Sequence, residues 1–216
     1  MPASPPQPAA SPPQAGEDSA KVRQILDGAR EVFLSLGFDG ASMGDIARMA
    51  GVSKGTLYVY FENKAELFSA LVAEERRISK RDFGFDMDST DVAGELRRYG
   101  RSLLPYISRE RNIQFVRTVM AIAERFSRVG EEFYRDGPAR GAEHLRGFIE
   151  AHAAAGRLVV ADTRMAALQL QHLFHAGIIN ELLYGVRDTP DEEEVARVVD
   201  EAVATFMARY GRAAPA

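Results

Sequence analysis

Apolar residues at Val22, Ile25, Leu26, Ala29, Val32, Phe33 and Leu36 fall three and four positions apart, the spacing of one helix face. The pattern predicts a helix that stops at Gly37. Ser42 with Asp45 three residues on is a capping-box-like pair, and it opens a short second helix running through Ile46 and Met49 to Ala50. Gly51 supplies the left-handed turn that ends it. Ser53 caps a third helix over 54–61, and Asn63 with Glu66 opens a fourth through Leu67, Leu71 and Val72. After the break "DFGFDMDST", helical periodicity resumes over 92–106, 113–126, 131–155 and 163–184. "DTPDEEE" starts a last helix, with Thr189 as N-cap, Pro190 at the first helical position and the acids 191–194 at the positive end of the macrodipole. That helix should stop near Gly211. No stretch alternates with period two over a strand's length and no internal repeat is visible, so the chain reads as all-α, with about nine helices.

Three regions follow. Residues 1–18, rich in Pro, Ala, Ser and Gln and uncharged through residue 16, read as a disordered arm lacking a signal peptide's basic start and apolar core. Residues 19–65 hold the short helices of a helix-turn-helix DNA-binding domain, and 66–216 a larger helical bundle.

The third helix carries the most informative composition. Leu57 and Phe61, four apart, face inward against Ile46 and Leu26, which leaves Lys54, Gly55, Thr56, Tyr58, Val59 and Tyr60 outside. Hydroxyls of Thr56, Tyr58 and Tyr60 suit phosphate oxygens or base edges, Lys54 supplies charge, and Gly55 allows close approach to DNA. Lys64 and the capped helix ends at Ser42 and Ser53 add donors.

Charge sets a limit on this reading. The whole chain has 216 residues, a formal net charge of −4 and no cysteine, and between Glu17 and Lys80 nine basic residues face ten acidic ones. Long-range attraction to DNA should therefore be weak, with affinity coming from fitted contacts and from dimerisation. The absence of cysteine excludes disulfides, thiolate nucleophiles and Cys-type zinc sites, and suits a cytoplasmic protein. No apolar run approaches the roughly 18 residues that span a bilayer, so no membrane partner is expected.

The run "GFDGASMGDIARMAGVSKGTLYVYFENKAELF", 37–68, resembles the DNA-binding domain of TetR-family transcriptional regulators. The resemblance implies that Ser42, Met43, Lys54, Gly55, Thr56, Tyr58, Tyr60 and Lys64 occupy the family's DNA-contacting positions. Gly44 departs from the pattern, because glycine in a first helical turn weakens it by up to about 1 kcal/mol. The stretch "VMAIAERFSRVGEEFYRDGPARGAEHLRGFIEAHAAAGRLV", 119–159, is similar to the C-terminal domain of the AefR-like branch of the same family. That similarity implies a helical bundle with an interior cavity for a small molecule.

Candidate lining groups in the bundle are Leu103, Phe115, Met120 and Phe148, among bulky residues that mostly form ordinary core. His172 and His175 lie three apart on one helix and His152 on the preceding one, so that all three could face one interior. They fit a core network, a subunit interface or polar contacts to a ligand; a metal site is least favoured because no nearby acid completes a ligand set. No metal and no cofactor is expected. "DMDSTD" lacks the glycine and the bidentate glutamate of a calcium loop and reads as an acidic turn. The last two helices, through Leu170, Leu173, Phe174, Gly177 and Ile178 and through Val195, Val198, Val199, Ala202, Val203, Phe206 and Met207, offer a surplus of apolar surface for a homodimer.

No Walker loop, dinucleotide glycine pattern or His-Glu-x-x-His is present, and no acid-base pair or nucleophile converges, so an enzyme is not expected. The reading is a repressor that leaves a palindromic double-stranded operator when a small hydrophobic effector binds. The alternative is a DNA-binding regulator without a small-molecule ligand, controlled by a protein partner.

Overall fold

The computed structural model describes residues 15–79 and 83–212. The chain divides into two compact units, one ending at Leu67 and the other beginning at Phe68. Most of the predicted arm, 1–14, lies outside the described residues, whereas residues 15–18 are already helical.

The first unit is built from α1 (Ala15–Gly40), α2 (Met43–Met49), α3 (Lys54–Tyr60) and the first turn of α4 (Lys64–Ser79). Gly37 interrupts α1 with φ 68°, as the sequence predicts, and the chain then turns so that Phe38 stacks on Phe33 with ring centroids 5.7 Å apart. Ile25, Ala29, Ile46, Leu57 and Leu67 are fully buried at the centre of this unit. At Gly28 an added Cβ would lie 2.6 Å from the Ala50 backbone nitrogen, so only glycine lets α1 approach the end of α2 this closely.

The second unit contains α5 (Val92–Ile107), α6 (Glu110–Ile122), α7 (Ser127–Tyr134), α8 (Arg140–Ala154), α9 (Thr163–His175), α10 (Ile179–Tyr184) and α11 (Glu192–Tyr210). Among the described residues no β-strand forms, only an isolated antiparallel bridge between Leu158 and Gly211. α8 packs on α9, and α11 on both α5 and α9. Leu96, Leu145, Phe148, Leu170, Phe174 and Val203 form the fully buried centre. At Gly100 a Cβ would stand 2.6 Å from Phe174 Cε1 and 2.9 Å from Val199 Cγ1, so this position brings α5 down onto α9 and α11.

Four features depart from the sequence expectation. The predicted helix 131–155 is divided by a π-helical turn, Arg135–Ala139, because Pro138 lacks the N–H that would continue the ladder. The amide of the buried Gln171 donates to the Pro138 carbonyl at 3.0 Å. The predicted helix 163–184 breaks after His175, where Gly177 takes φ 71°. The last helix is capped by Asp191, whose carboxylate accepts from the Glu194 N–H at 2.8 Å, rather than by Thr189. Finally, the apolar surface assigned to a dimer is largely consumed inside the subunit. Leu170, Phe174, Ile178, Val195, Val199, Ala202, Val203 and Phe206 are all buried within one chain, with Leu173, Val198 and Met207 half-buried. The surface left on α9 and α11 carries Gln169, His172, Ala204, Thr205 and Ala208.

Candidate functional site

Local chemistry sets the geometry of the α2–turn–α3 segment. The Ser42 hydroxyl accepts from the Asp45 N–H at 3.1 Å and donates to its carboxylate at 2.6 Å. That hydroxyl, with Arg48 adding charge at 2.6 Å, holds the half-buried Asp45 carboxyl below its ordinary value. α2 ends where Gly51 adopts φ 64°, and the turn closes through Val52 N–H to Ala47 O at 2.9 Å. A long-range tie, absent from the sequence reading, reinforces it: the Gln24 amide on α1 donates to Ala50 O at 2.6 Å. α3 then starts at the Ser53 cap, which accepts from the Thr56 N–H at 2.9 Å and lies 2.8 Å from the Thr56 hydroxyl.

Leu57, fully buried, and Phe61, at 6%, anchor α3 and fix which face is left free. That face presents Lys54, Gly55, Tyr58 and Val59, the last two 52% and 78% exposed. Ser42 is exposed, and Met43 and Thr56 are half-buried. Gly44 also has a geometric role, because a Cβ there would sit 2.8 Å from Lys54 Cε; the missing side chain makes room for the lysine stem.

Two residues expected to contact DNA have other occupations. Tyr60 is half-buried, and its hydroxyl donates to Asp18 at 2.8 Å, tying the end of α3 to the start of α1. The Lys64 ammonium donates to the carbonyls of Phe38 at 2.5 Å and Ala41 at 2.8 Å and lies 4.5 Å from the Phe38 ring centroid. It thereby satisfies carbonyls left without helical partners at the end of α1. Both occupations depend on partners more than twenty residues away, which helix periodicity does not reveal.

In the second unit the three histidines do not converge. His152 is fully buried on α8, with its ring 4.2 Å from that of Phe148, whereas His172 is exposed and His175 half-buried on α9. Their own rings lie 6.1 Å apart. The His172 ring nitrogen Nδ1 meets Leu168 O at 2.8 Å, a bond within its own helix. Burial, with the neighbouring His172 adding to it, pushes His175 down to about 4. Met120 points to solvent at 64% exposure, so it lines no interior; Leu103 is half-buried, and Phe115 packs against the rings of Phe68 and Phe133. Among the described residues no group of three or more His, Asp or Glu could hold a metal, and no helix is long and apolar enough to cross a membrane.

Around Phe148 the structure gathers rings the sequence reading passed over. Phe85 stacks on Phe148 at 4.2 Å, on Tyr99 at 4.7 Å and on His144 at 4.9 Å, and Tyr99 reaches Phe174 at 6.1 Å. Burial pushes the Tyr99 phenol up to about 12. The available signal was two phenylalanines flanking a glycine in an otherwise acidic break.

A capped helix, a glycine turn and a second capped helix with an outward polar and aromatic face place the first unit in the helix-turn-helix class. Residues 25–71 match the bacterial regulatory proteins of the tetR family, and residues 94–212 match the AefR-like transcriptional repressor C-terminal domain. The chain therefore belongs to the TetR family, in its AefR-like branch. A TetR-family transcriptional regulator from Mesorhizobium loti superposes with a TM-score of 0.83 at 27% identity, covering 90% of this chain and 98% of that one. The flavonoid-responsive regulator FrrA gives a TM-score of 0.78 at 30% identity, with 91% and 100% covered. A helix-turn-helix transcriptional repressor of Mycobacterium tuberculosis is 40% identical over 65 residues, 29% of this chain and 35% of that protein. Over the first curated relatives, the match spans between a third and just over half of their length.

Proposed function

We propose that this chain is a one-component repressor, a homodimer that holds a palindromic operator and lets it go when a small, largely hydrophobic effector enters the second unit. The observation that carries the reading is the outer face of α3. A fully buried Leu57 fixes the helix, while Lys54, Gly55, Tyr58 and the 78% exposed Val59 are turned outward. Large apolar and aromatic side chains held in water at a pinned helix fit a partner surface, and a short capped helix fits a major groove.

In this reading Tyr58, Lys54 and Gly55 meet the DNA directly, and Val59 takes a thymine methyl. The Ser42 and Met43 end of α2 meets phosphates. Thr56 shares its hydroxyl with Ser53, and Tyr60 and Lys64 act chiefly by holding the reading helix in place. Two copies on one duplex face would read half-sites about 34–36 Å apart or a multiple of that distance. Effector and operator then oppose each other, and the coupling is reciprocal.

The effector class is supported by the ring cluster around Phe148 and by the response to flavonoids named for the relative FrrA. Fluorescence anisotropy with an operator recovered by selection tests the reading. Binding should be lost on adding a flavonoid or comparable aromatic compound that the protein binds, and unchanged operator affinity at saturating compound would reject release by effector.

A further inference from the structure

Glycine in the first turn of a helix costs up to about 1 kcal/mol against alanine, and Gly44 brings that cost to α2. The structure shows what the missing side chain permits. A Cβ at Gly44 would lie 2.8 Å from Lys54 Cε, 3.1 Å from Lys54 Nζ and 3.6 Å from Ser42 Oγ. Lys54, the first residue of α3, therefore folds back across the turn, with the end of its chain over the first turn of α2. The electrostatics agree with that placement: after the Ser42 hydroxyl and the charge of Arg48, Lys54 also helps to hold the Asp45 carboxyl below its ordinary value.

In this position the ammonium is not consumed by the chain. Lys54 is exposed, and among the described residues its side chain makes no hydrogen bond or ion pair. The neighbouring acid is already engaged, since Ser42 Oγ donates to one Asp45 carboxylate oxygen and Arg48 to the other, each at 2.6 Å. The lysine charge is thus left for a partner outside the chain, on the same side as Ser42, at the end of α2 that meets phosphates in the proposed complex. A compact ammonium suits a phosphate as a point charge. To read a base edge, Lys54 would instead run along the outer face of α3 with Tyr58, four positions on. Its stem lies elsewhere, against Gly44.

We propose that Gly44 determines the specificity of the reading head. By carrying no side chain it lets Lys54 fold back on α2 and bind a backbone phosphate, so that Lys54 supplies affinity without sequence preference and base selection falls to Tyr58 and Val59. This rests on the operator-binding reading and divides its contacts between the DNA backbone and the base edges. A side chain at position 44 would send the lysine out along α3, where an ammonium can meet the N7 and O6 acceptors of guanine.

Two variants of the full chain test this, each with selection from random duplex DNA and with operator binding measured across a salt series. Lys54→Met keeps the length of the stem and removes the charge. It should weaken selected and scrambled duplexes by the same factor, leave the selected motif unchanged, and reduce the steepness of log K against log salt by about 1 for each bound head. In Gly44→Ala the atoms that must give way are the far end of a flexible side chain, and alanine favours the helix, so the head should stay folded. That variant should gain a preference for guanine at one position of each half-site, and combining it with Lys54→Met should abolish the gain. Loss of an existing base preference in Lys54→Met with the salt dependence unaltered would overturn the proposal. So would a Gly44→Ala motif identical to that of the unmodified protein. Both of those results leave the operator reading standing, whereas failure of the unmodified protein to enrich any motif removes the operator reading and this proposal with it.

Discussion

Two tyrosines two positions apart on α3 have opposite surroundings, and under the proposed function this separates a residue that reads the DNA from one that supports the helix. Tyr58 is 52% exposed, whereas the Tyr60 hydroxyl is bonded to Asp18 across 42 positions of sequence. Tyr58→Ala should leave thermal stability nearly unchanged and weaken operator binding by about 1–3 kcal/mol, as expected for a lost base or phosphate contact. Tyr60→Phe should instead lower the stability of the first unit by about 1 kcal/mol, the usual net value of a hydrogen bond, with affinity following only through the population of folded head. Urea unfolding alongside anisotropy separates the two effects. Lys64→Met removes a charged donor from the Phe38 and Ala41 carbonyls. It should cost about 1–3 kcal/mol of stability. An affinity loss in Lys64→Met with unaltered urea midpoint would mean that the lysine contacts DNA directly.

Between elements, helix approach is set by glycine. Gly100→Ala places a methyl group against Phe174 and Val199 where both are buried, and should destabilise the second unit by about 1–3 kcal/mol through overpacking. Titration adds a second test on α9. His175 falls from the ordinary 6.5 to about 4 in the folded chain, so below pH 6.5 the unfolded state takes up a proton that the native state refuses. Stability should therefore decline as pH falls from 6.5 toward 4, and His175→Gln should flatten that part of a pH series of urea midpoints. Elements whose signals lie within one turn were legible from sequence: the Ser42–Asp45 pair, the Ser53 cap, the Gly37 and Gly51 turns and the buried Leu57. What escaped depends on distant partners. The π turn at Pro138 has Gln171 from another helix bonded to its carbonyl, and the Phe85 ring gains its stacking partners only once α5 and α8 supply them. Periodicity also overstated the dimer face, since an apolar residue on a helix looks the same whether its cover comes from its own chain or from a second copy.

For the whole molecule, burial of the α9 and α11 apolar residues inside the subunit shifts the expected dimer contact to what remains outside, including Ala204, Thr205 and Ala208. Small side chains allow helices to approach closely. Ala208→Arg should then shift sedimentation from dimer toward monomer while leaving helical content intact. The weakly negative charge of the first unit adds a constraint on binding: with six bases against eight acids over 17–67, non-specific affinity should be low at physiological salt. Specific recognition by a symmetric pair of α3 helices is the claim on which the rest depends. Sequencing of random duplex DNA selected by the purified protein tests it most directly. Enrichment of an inverted repeat whose half-sites lie one or more helical turns apart is the predicted result, and recovery of unenriched fragments with scrambled and selected DNA bound equally would contradict it.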